Sequence, residues 1–438
     1  MDNGSEVFAK LPNPNAGPPH FIIASEVATR ELAPGVRLGT VWNQWPRELK
    51  LRLITEVVEI ESTLTTINFD RHGCIYFKDD LLSLTGEAKE IHASHGAPGA
   101  LEKYSIGPLT SNELWSGSRR DMVLERGPWR DPREYVEALG RNEMAWIKSH
   151  AVPRMNHYRS SEIKERPEDG LALLKKYIDV APHLVPPSTD ESGCANVLWH
   201  PDLHLDNIFV DPDTHQISRI VDWQSASVAP LFYQSGVPRL CRYPGHVREG
   251  WVVPKRPENF ESLDKNEQKR IDDDLESETL HKYYEAQVCK RAPRHWAVLQ
   301  QQTVSIIRKP VWLVTGAWEN RDLFFLRESL MELVADWEEF FPDVPCPIGF
   351  SNEDVVFQAK EQENINGVGH MLTLFRDQAV LPVDGMVDPK DFDIARENCR
   401  KFRDIFIRLG KNDEERELYR NLWPFQESEA EIPAVSEG

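Results

Sequence analysis

Between Asn196 and Ser227 the chain reads NVLWHPDLHLDNIFVDPDTHQISRIVDWQSAS, which sets His200, Asp202, His204, Asp206, Asn207 and Asp222 beside short apolar runs. Val197–Trp199, Asn207–Val210 and Ile217–Val221 have strand composition and Asp211–Thr214 has turn composition, so the order expected is strand, loop, strand, turn, strand. Asp202 and Asn207 then share the first loop, and Asp222 closes the third strand at the same edge. Phosphoryl transfer needs one carboxylate to orient and deprotonate a hydroxyl, with a second carboxylate and an amide oxygen to hold magnesium. Asp202, Asn207 and Asp222 supply that set. His200 is expected to pack under the loop and hydrogen-bond its backbone rather than carry a proton, and His204 to bond within the loop.

A different chemistry also fits part of the stretch. His200, Asp202, His204 and Asp206 alternate as HxDxHxD, and on one side of an extended segment they would resemble the ligand set of a metal-dependent hydrolase. Pro201 and the turn composition break such a segment, and no further His or carboxylate cluster in the sequence completes the site. The six cysteines form no CxxC or CxxH pair, which points to thiols in a reducing compartment rather than to zinc or a disulfide framework.

The elements around the stretch read mostly as helix. Leu49, Leu53, Val57, Ile60, Leu64 and Ile67 recur at steps of four and three, so Trp45–Ile67 is expected to be an amphipathic helix. Leu32–Trp42 reads as a Gly and Pro connector. Gly73–Phe77 and Met122–Glu125 bracket an insertion expected to be a hairpin or long loop. Asp131, Pro132 and Glu134 form a capping box that starts a helix running to about Ser149. Gly170–Val180 is one more helix. Beyond the central stretch, helices are expected at about 262 to 290, 294 to 308, 322 to 340, 351 to 378 and 388 to 420. Trp296, Trp312, Trp318 and Trp337 read as core, and Asp272–Asp274 as a solvated helix face. These later helices are expected to form a wall beside the loop.

At 438 residues the chain has room for a large core with two lobes or domains, and 40% hydrophobic with 28% charged residues is an ordinary globular balance. A net charge of −20 argues against nucleic acid or an anionic membrane as partner. The first residues show no secretory or transit pattern, and no apolar run approaches the ~20 residues of a membrane span. On that evidence the expectation is a cytoplasmic chain.

HPDLHLDN at His200–Asn207 followed by IVDWQ at Ile220–Gln224 resembles the motifs of the aminoglycoside phosphotransferase and choline kinase families, relatives of the protein kinases. VLWHPDLHLDNIFVD, DWQSASVAPL and AKLPNPNAGPP resemble, within these relatives, the fungal branch that contains altered inheritance of mitochondria protein nine. The resemblance implies an α/β (α+β) protein-kinase-like fold and transfer of phosphate from ATP, with Mg2+, to a hydroxyl of a small molecule. It implies Asp202 as catalytic base, Asn207 and Asp222 as magnesium ligands, and Lys10 as the strand lysine on the ATP phosphates, with Glu26 as the first choice of partner for it and Glu31 as the second. It also implies a mitochondrial address.

Only nine residues precede Lys10, which leaves no space for the glycine-rich hairpin of such kinases, and Glu31 runs straight into a segment resembling the one after the hinge. The expected organisation is therefore a reduced N-terminal lobe over residues 1–31, a large, mainly helical C-terminal lobe over 32–426 and a frayed acidic tail over 427–438. A lobe so reduced makes a non-catalytic pseudokinase or scaffold the competing expectation, or an incomplete gene model.

Overall fold

The computed structural model describes residues 35–93, 101–155, 164–186, 191–248, 250–320, 323–377 and 392–423. Lys10, Glu26 and the acidic tail lie outside them. Gly35 opens the described chain with a φ of +110°, and a Cβ there would sit 2.5 Å from the Val210 carbonyl oxygen, so the position takes only glycine. It leads into β1 (Val36–Arg37), which pairs antiparallel with Phe209 and Val210. The expected connector thus contains a strand. Two residues carry no periodicity, and the strand exists because it caps the edge of the hairpin that follows the central loop.

A single helical turn, Leu38–Val41, precedes α1 (Arg47–Thr66). Leu53, Ile54, Val57, Val58, Glu61 and Thr65 are the buried face of α1. Ile60 and Leu64 of the expected stripe are only half buried. The helix is turned toward Glu61 because Tyr284 Oη donates to Glu61 Oε2 at 2.6 Å. Burial pushes the Glu61 carboxyl up to about 8.

The insertion holds a hairpin with a helix at its tip. β2 (Cys74–Phe77) leads to α2 (Lys78–Thr85), and β3 (Tyr104–Gly107) returns antiparallel, Cys74 opposite Gly107. The returning strand, Tyr104–Gly107, lies inside the bracketed insertion. α3 (Pro132–His150) starts with proline at its first turn, and the Asp131 carboxylate accepts from Arg133 N at 2.9 Å. A two-residue pair, β4 (Arg154–Met155) with β5 (Lys164–Glu165), precedes α4 (Pro167–Val180).

The central stretch forms β6 (Asn196–Trp199), β7 (Ile208–Val210), β8 (Ile217–Ile220) and β9 (Ser227–Pro230). β1, β7 and β8 make one antiparallel sheet, while β6 pairs with β9. Gly73 bridges Val228, which sets the residues before β2 against β9.

Helices follow: α5 (Lys265–Arg291), α6 (Pro293–Leu299), α7 (Gln302–Val314), α8 (Leu323–Ala335), α9 (Asn352–Asp377), α10 (Phe392–Arg408) and α11 (Asp413–Leu422). Asp264 caps α5 by accepting from Asn266 N and Glu267 N. α7 continues past the expected end at 308 and through Pro310, because Val311 and Val314 are buried on the same face as Ile307.

Two large apolar cores stand out among the described residues, with smaller clusters around Trp199 and Phe69. The larger joins α3, α4, α7 and α8 around Tyr177, Trp318 and Trp337. The second joins α1 and α5 to Leu38, Leu203, Ile208 and Val210. Trp312 is a correction to the sequence reading: it is 50% exposed rather than core. Wholly buried Arg119 donates to Glu143 and Glu319, each at 2.7 Å, and Glu143 also accepts from Gly316 N and Trp318 N. This ties α3 to the turn after α7. No helix among the described residues is long and apolar enough to cross a membrane.

Candidate active site

The loop from β6 to β7 is pinned from below. Leu203 and Ile208 are buried in the second core, each worth about 1.5–3 kcal/mol of burial, so the residues between them are presented upward. His200 Nε2 lies 3.0 Å from Val221 O, while His200 Nδ1 accepts from Asp202 N at 3.2 Å. Those partners call for a singly protonated ring with its proton on Nε2. Burial moves the imidazole below its ordinary value, which favours that form. The Trp223 ring meets the His200 ring edge-on with centroids 4.7 Å apart.

Asn207 is buried, and its Nδ2 donates to Asp202 O at 2.9 Å. That bond turns the amide so that Oδ1 remains as an oxygen donor. Val221 N donates to Asn207 O at 2.9 Å. Asp202, Asn207 and Val221, the residue before Asp222, are therefore joined by four hydrogen bonds through His200 and the backbone. Asp222 takes the left-handed conformation, φ 63°, and a turn from Trp223 to Ala226 follows. The hairpin that brings Asp222 back is closed by Asp211, whose Oδ1 accepts from Asp213 N, Thr214 N and Thr214 Oγ1.

The Asp202 side chain is 49% exposed. Arg239 Nη1 donates to its Oδ1 at 3.2 Å, and His204 Nε2 lies 3.6 Å from its Oδ2. His204 Nδ1 accepts from Asp206 N, which caps the turn Leu205–Asn207. Sequence reading missed Arg239. It sits 37 residues away in a stretch without periodicity, and only the fold brings it over the loop. With its side chain 67% exposed, its ion pair with Asp202 contributes about 0–1 kcal/mol to stability.

The HxDxHxD alternation does not converge on one point. His200 turns inward to Val221, His204 faces Asp202, and the Asp206 carboxylate lies against the backbone of Gly39. Among the described residues no three His, Cys, Asp or Glu side chains are grouped to hold a metal ion. Asn207 and Asp222 offer an amide and a carboxylate oxygen, hard donors of the kind that share Mg2+ with nucleotide phosphates. A cleft of about 1160 Å³ lies between the start of α1 and α5, where Lys50 pairs with Glu276 and Arg256 with Asp272.

Residues 124–234 match the family model described as phosphotransferase enzyme family. Among curated proteins, a subtelomeric hrmA-associated cluster protein of Aspergillus fumigatus is 26% identical over 98% of this chain and 93% of its own length. Altered inheritance of mitochondria protein 9, mitochondrial, of Yarrowia lipolytica is 24% identical over 78% of this chain and 59% of that protein. The protein of the same name in Saccharomyces cerevisiae is 20% identical over 72% of this chain and 53% of that protein. No solved structure matches. The loop of Asp202, Asn207 and Asp222 lies inside the residues that are similar to the phosphotransferase enzyme family.

Proposed function

We propose that the chain is an ATP- and Mg2+-dependent phosphotransferase of protein-kinase-like fold that phosphorylates a hydroxyl of a small molecule. The observation that carries this reading is the bonded arrangement of the loop. Asn207 holds the backbone of Asp202, and both are joined to Val221, the residue before Asp222, Asn207 directly and Asp202 through His200. Positioning of this kind is the main contribution a phosphoryl-transfer enzyme makes.

Asp202 is the base. It orients the acceptor O–H and takes its proton as the oxygen forms a bond to the γ-phosphorus. The bond from that phosphorus to the β–γ bridging oxygen breaks, and ADP departs with the electron pair. Asn207 Oδ1 and the Asp222 carboxylate would hold magnesium, which when bound neutralises charge on the transferring phosphates. His200 keeps the Asp202 backbone in place and exchanges no proton with the acceptor. Arg239 shields Asp202 before substrate arrives.

The test is ADP release by the purified chain, together with a thermal shift on adding ATP and Mg2+. Wild type is expected to be stabilised by ATP with Mg2+ and to release ADP with a suitable acceptor. Asp202→Asn is expected to keep the shift and lose the release. A chain that shows neither response, and whose cellular role survives Asp202→Asn and Asp222→Asn, is a scaffold and not an enzyme. The names of the two yeast relatives motivate a mitochondrial site of action, which co-fractionation of the tagged chain with mitochondria would test.

A further inference from the structure

Three residues past Asp222 the chain reaches a second cavity of about 390 Å³, within the range of small-molecule sites, ~300–1,000 Å³. Ser225 and Ser227 line it on the side of β9, with Tyr233 beyond them, while Trp312, Thr315 and Asn320 close it from the end of α7. We propose that this cavity receives the acceptor, and that the acceptor is a neutral polyhydroxylated ring, a monosaccharide or cyclitol. The proposal rests on the phosphotransfer reading above for the reaction, but its binding claim stands apart from it.

The chemistry of the lining is that of a partner for hydroxyls. Thr110, Ser225, Ser227 and Thr315 each both donate and accept, as a sugar hydroxyl does, and the Asn320 amide offers both functions on separate atoms. Two polar groups among the described lining residues lack protein partners. His72 is 2% exposed and its Nδ1 is buried without a hydrogen bond, and the Thr315 hydroxyl is likewise buried and unmatched. Such groups cost stability unless something supplies a bond. Tyr135 Oη donates to Tyr233 Oη at 2.7 Å, which leaves the Tyr233 proton to be donated into the cavity.

Charge narrows the class of ligand. Among the described lining residues Glu113 is the one acidic side chain, it is exposed, and no Lys or Arg lines the cavity. Burial lowers His72 to about 3, so it adds no positive charge near neutral pH. A sugar phosphate or carboxylic acid would lose hydration here with no cation to replace it, and an amine would find a single solvated carboxylate. A neutral polyol loses only hydroxyl hydration, which the lining returns.

The half-exposed Trp312 ring gives the apolar edge of such a ring a surface to rest on, and Arg308 lies 4.5 Å over the indole and holds it in place. The turn carrying Asn320 is fixed from behind by Glu143, through Gly316 N and Trp318 N.

The experiment is calorimetric titration of the full chain with glucose and myo-inositol as neutral probes, choline and glucosamine as amines, and glucose 6-phosphate as anion. A neutral probe is expected to bind in preference to the others. Tyr233→Phe and Trp312→Ala should each weaken it about tenfold or more. Trp312 is half exposed, so its variant keeps the test open if Tyr233→Phe does not fold. Asp202→Asn should bind the same probe undiminished while releasing no ADP. Absence of neutral binding, preference for the amines or the anion, or full affinity in Trp312→Ala overturns the assignment. Polyol binding with no ADP release by wild type upholds the cavity and sinks phosphotransfer. ADP release on an amine without polyol binding does the reverse.

Discussion

Glu61→Gln should make the chain more stable in alkali while leaving it nearly unchanged in acid. Glu61 is 4% exposed between α1 and α5, and the Tyr284 hydroxyl at 2.6 Å is the hydrogen bond that holds it. Burial raises its carboxyl from 4.5 to about 8, with the Tyr284 bond acting the other way. The folded chain thus holds a proton that the unfolded chain releases near 4.5. Stability from the protonated carboxyl is fully present below 4.5 and is lost as pH rises to about 8. At about 1.36 kcal/mol for each pH unit crossed, the loss reaches roughly 5 kcal/mol at most, and roughly 3 kcal/mol by pH 7. Against a total stability of ~5–15 kcal/mol that is a large share. The glutamine amide carries no such cost, and its oxygen still accepts from Tyr284. Urea unfolding of both proteins from pH 5 to pH 9 measures the difference directly. It should be below about 1 kcal/mol at pH 5 and grow by several kcal/mol through pH 8. A difference that stays flat across this range would falsify the buried, proton-holding Glu61.

Asp202→Asn should lower phosphoryl transfer by about 10²–10⁴, the usual range for a proton-accepting group, with nucleotide binding retained, as an ADP-release assay and a thermal shift will show. His295 has the opposite pH sign to Glu61. It is fully buried, neither ring nitrogen has a partner, and burial lowers it from 6.5 to about 3, so its contribution is present above 6.5 and lost as pH falls toward 3. His295→Phe, packed between Trp199 and Tyr284, should therefore resist acid better than wild type in unfolding followed by circular dichroism. Arg119→Met should destabilise by about 3–5 kcal/mol, because Glu143 is left as a buried carboxylate, and a denaturant midpoint close to wild type would refute that accounting.

The part of the site that lies on one continuous stretch was legible in the sequence, because apolar runs mark where the loop must start and stop. Val197–Trp199 and Ile208–Val210 are buried enough to fix Asp202 and Asn207 between them. Asp222 followed from the same pattern. What the sequence hid depends on distant contact. Arg239 reaches Asp202 across 37 residues, and β1 is a strand only because Phe209 and Val210 offer it an edge. The rotation of α1 toward Glu61 could not be read from apolar spacing, since the residue that turns it is a carboxylate whose partner lies on α5. Trp312 was assigned to the core by residue type, whereas its neighbours Val311 and Val314 take that face of α7 and leave the indole at the cavity.

The left-handed backbone at Asp222 bears on how its side chain can be interrogated. Among residues with a Cβ, Asp and Asn tolerate φ near 60° best, so alanine there would alter the course of the chain as well as remove the carboxylate. A defect in Asp222→Ala would mix a displaced Trp223–Ala226 turn with a lost oxygen donor. Asn keeps the conformation and the shape and removes the charge, whereas Gly keeps the conformation and removes the side chain. Equal loss of Mg2+-dependent nucleotide stabilisation in both would assign the whole effect to the negative charge, and a greater loss in Gly would credit the remaining oxygen. The geometry of one residue thus selects the pair of variants whose comparison has a chemical meaning.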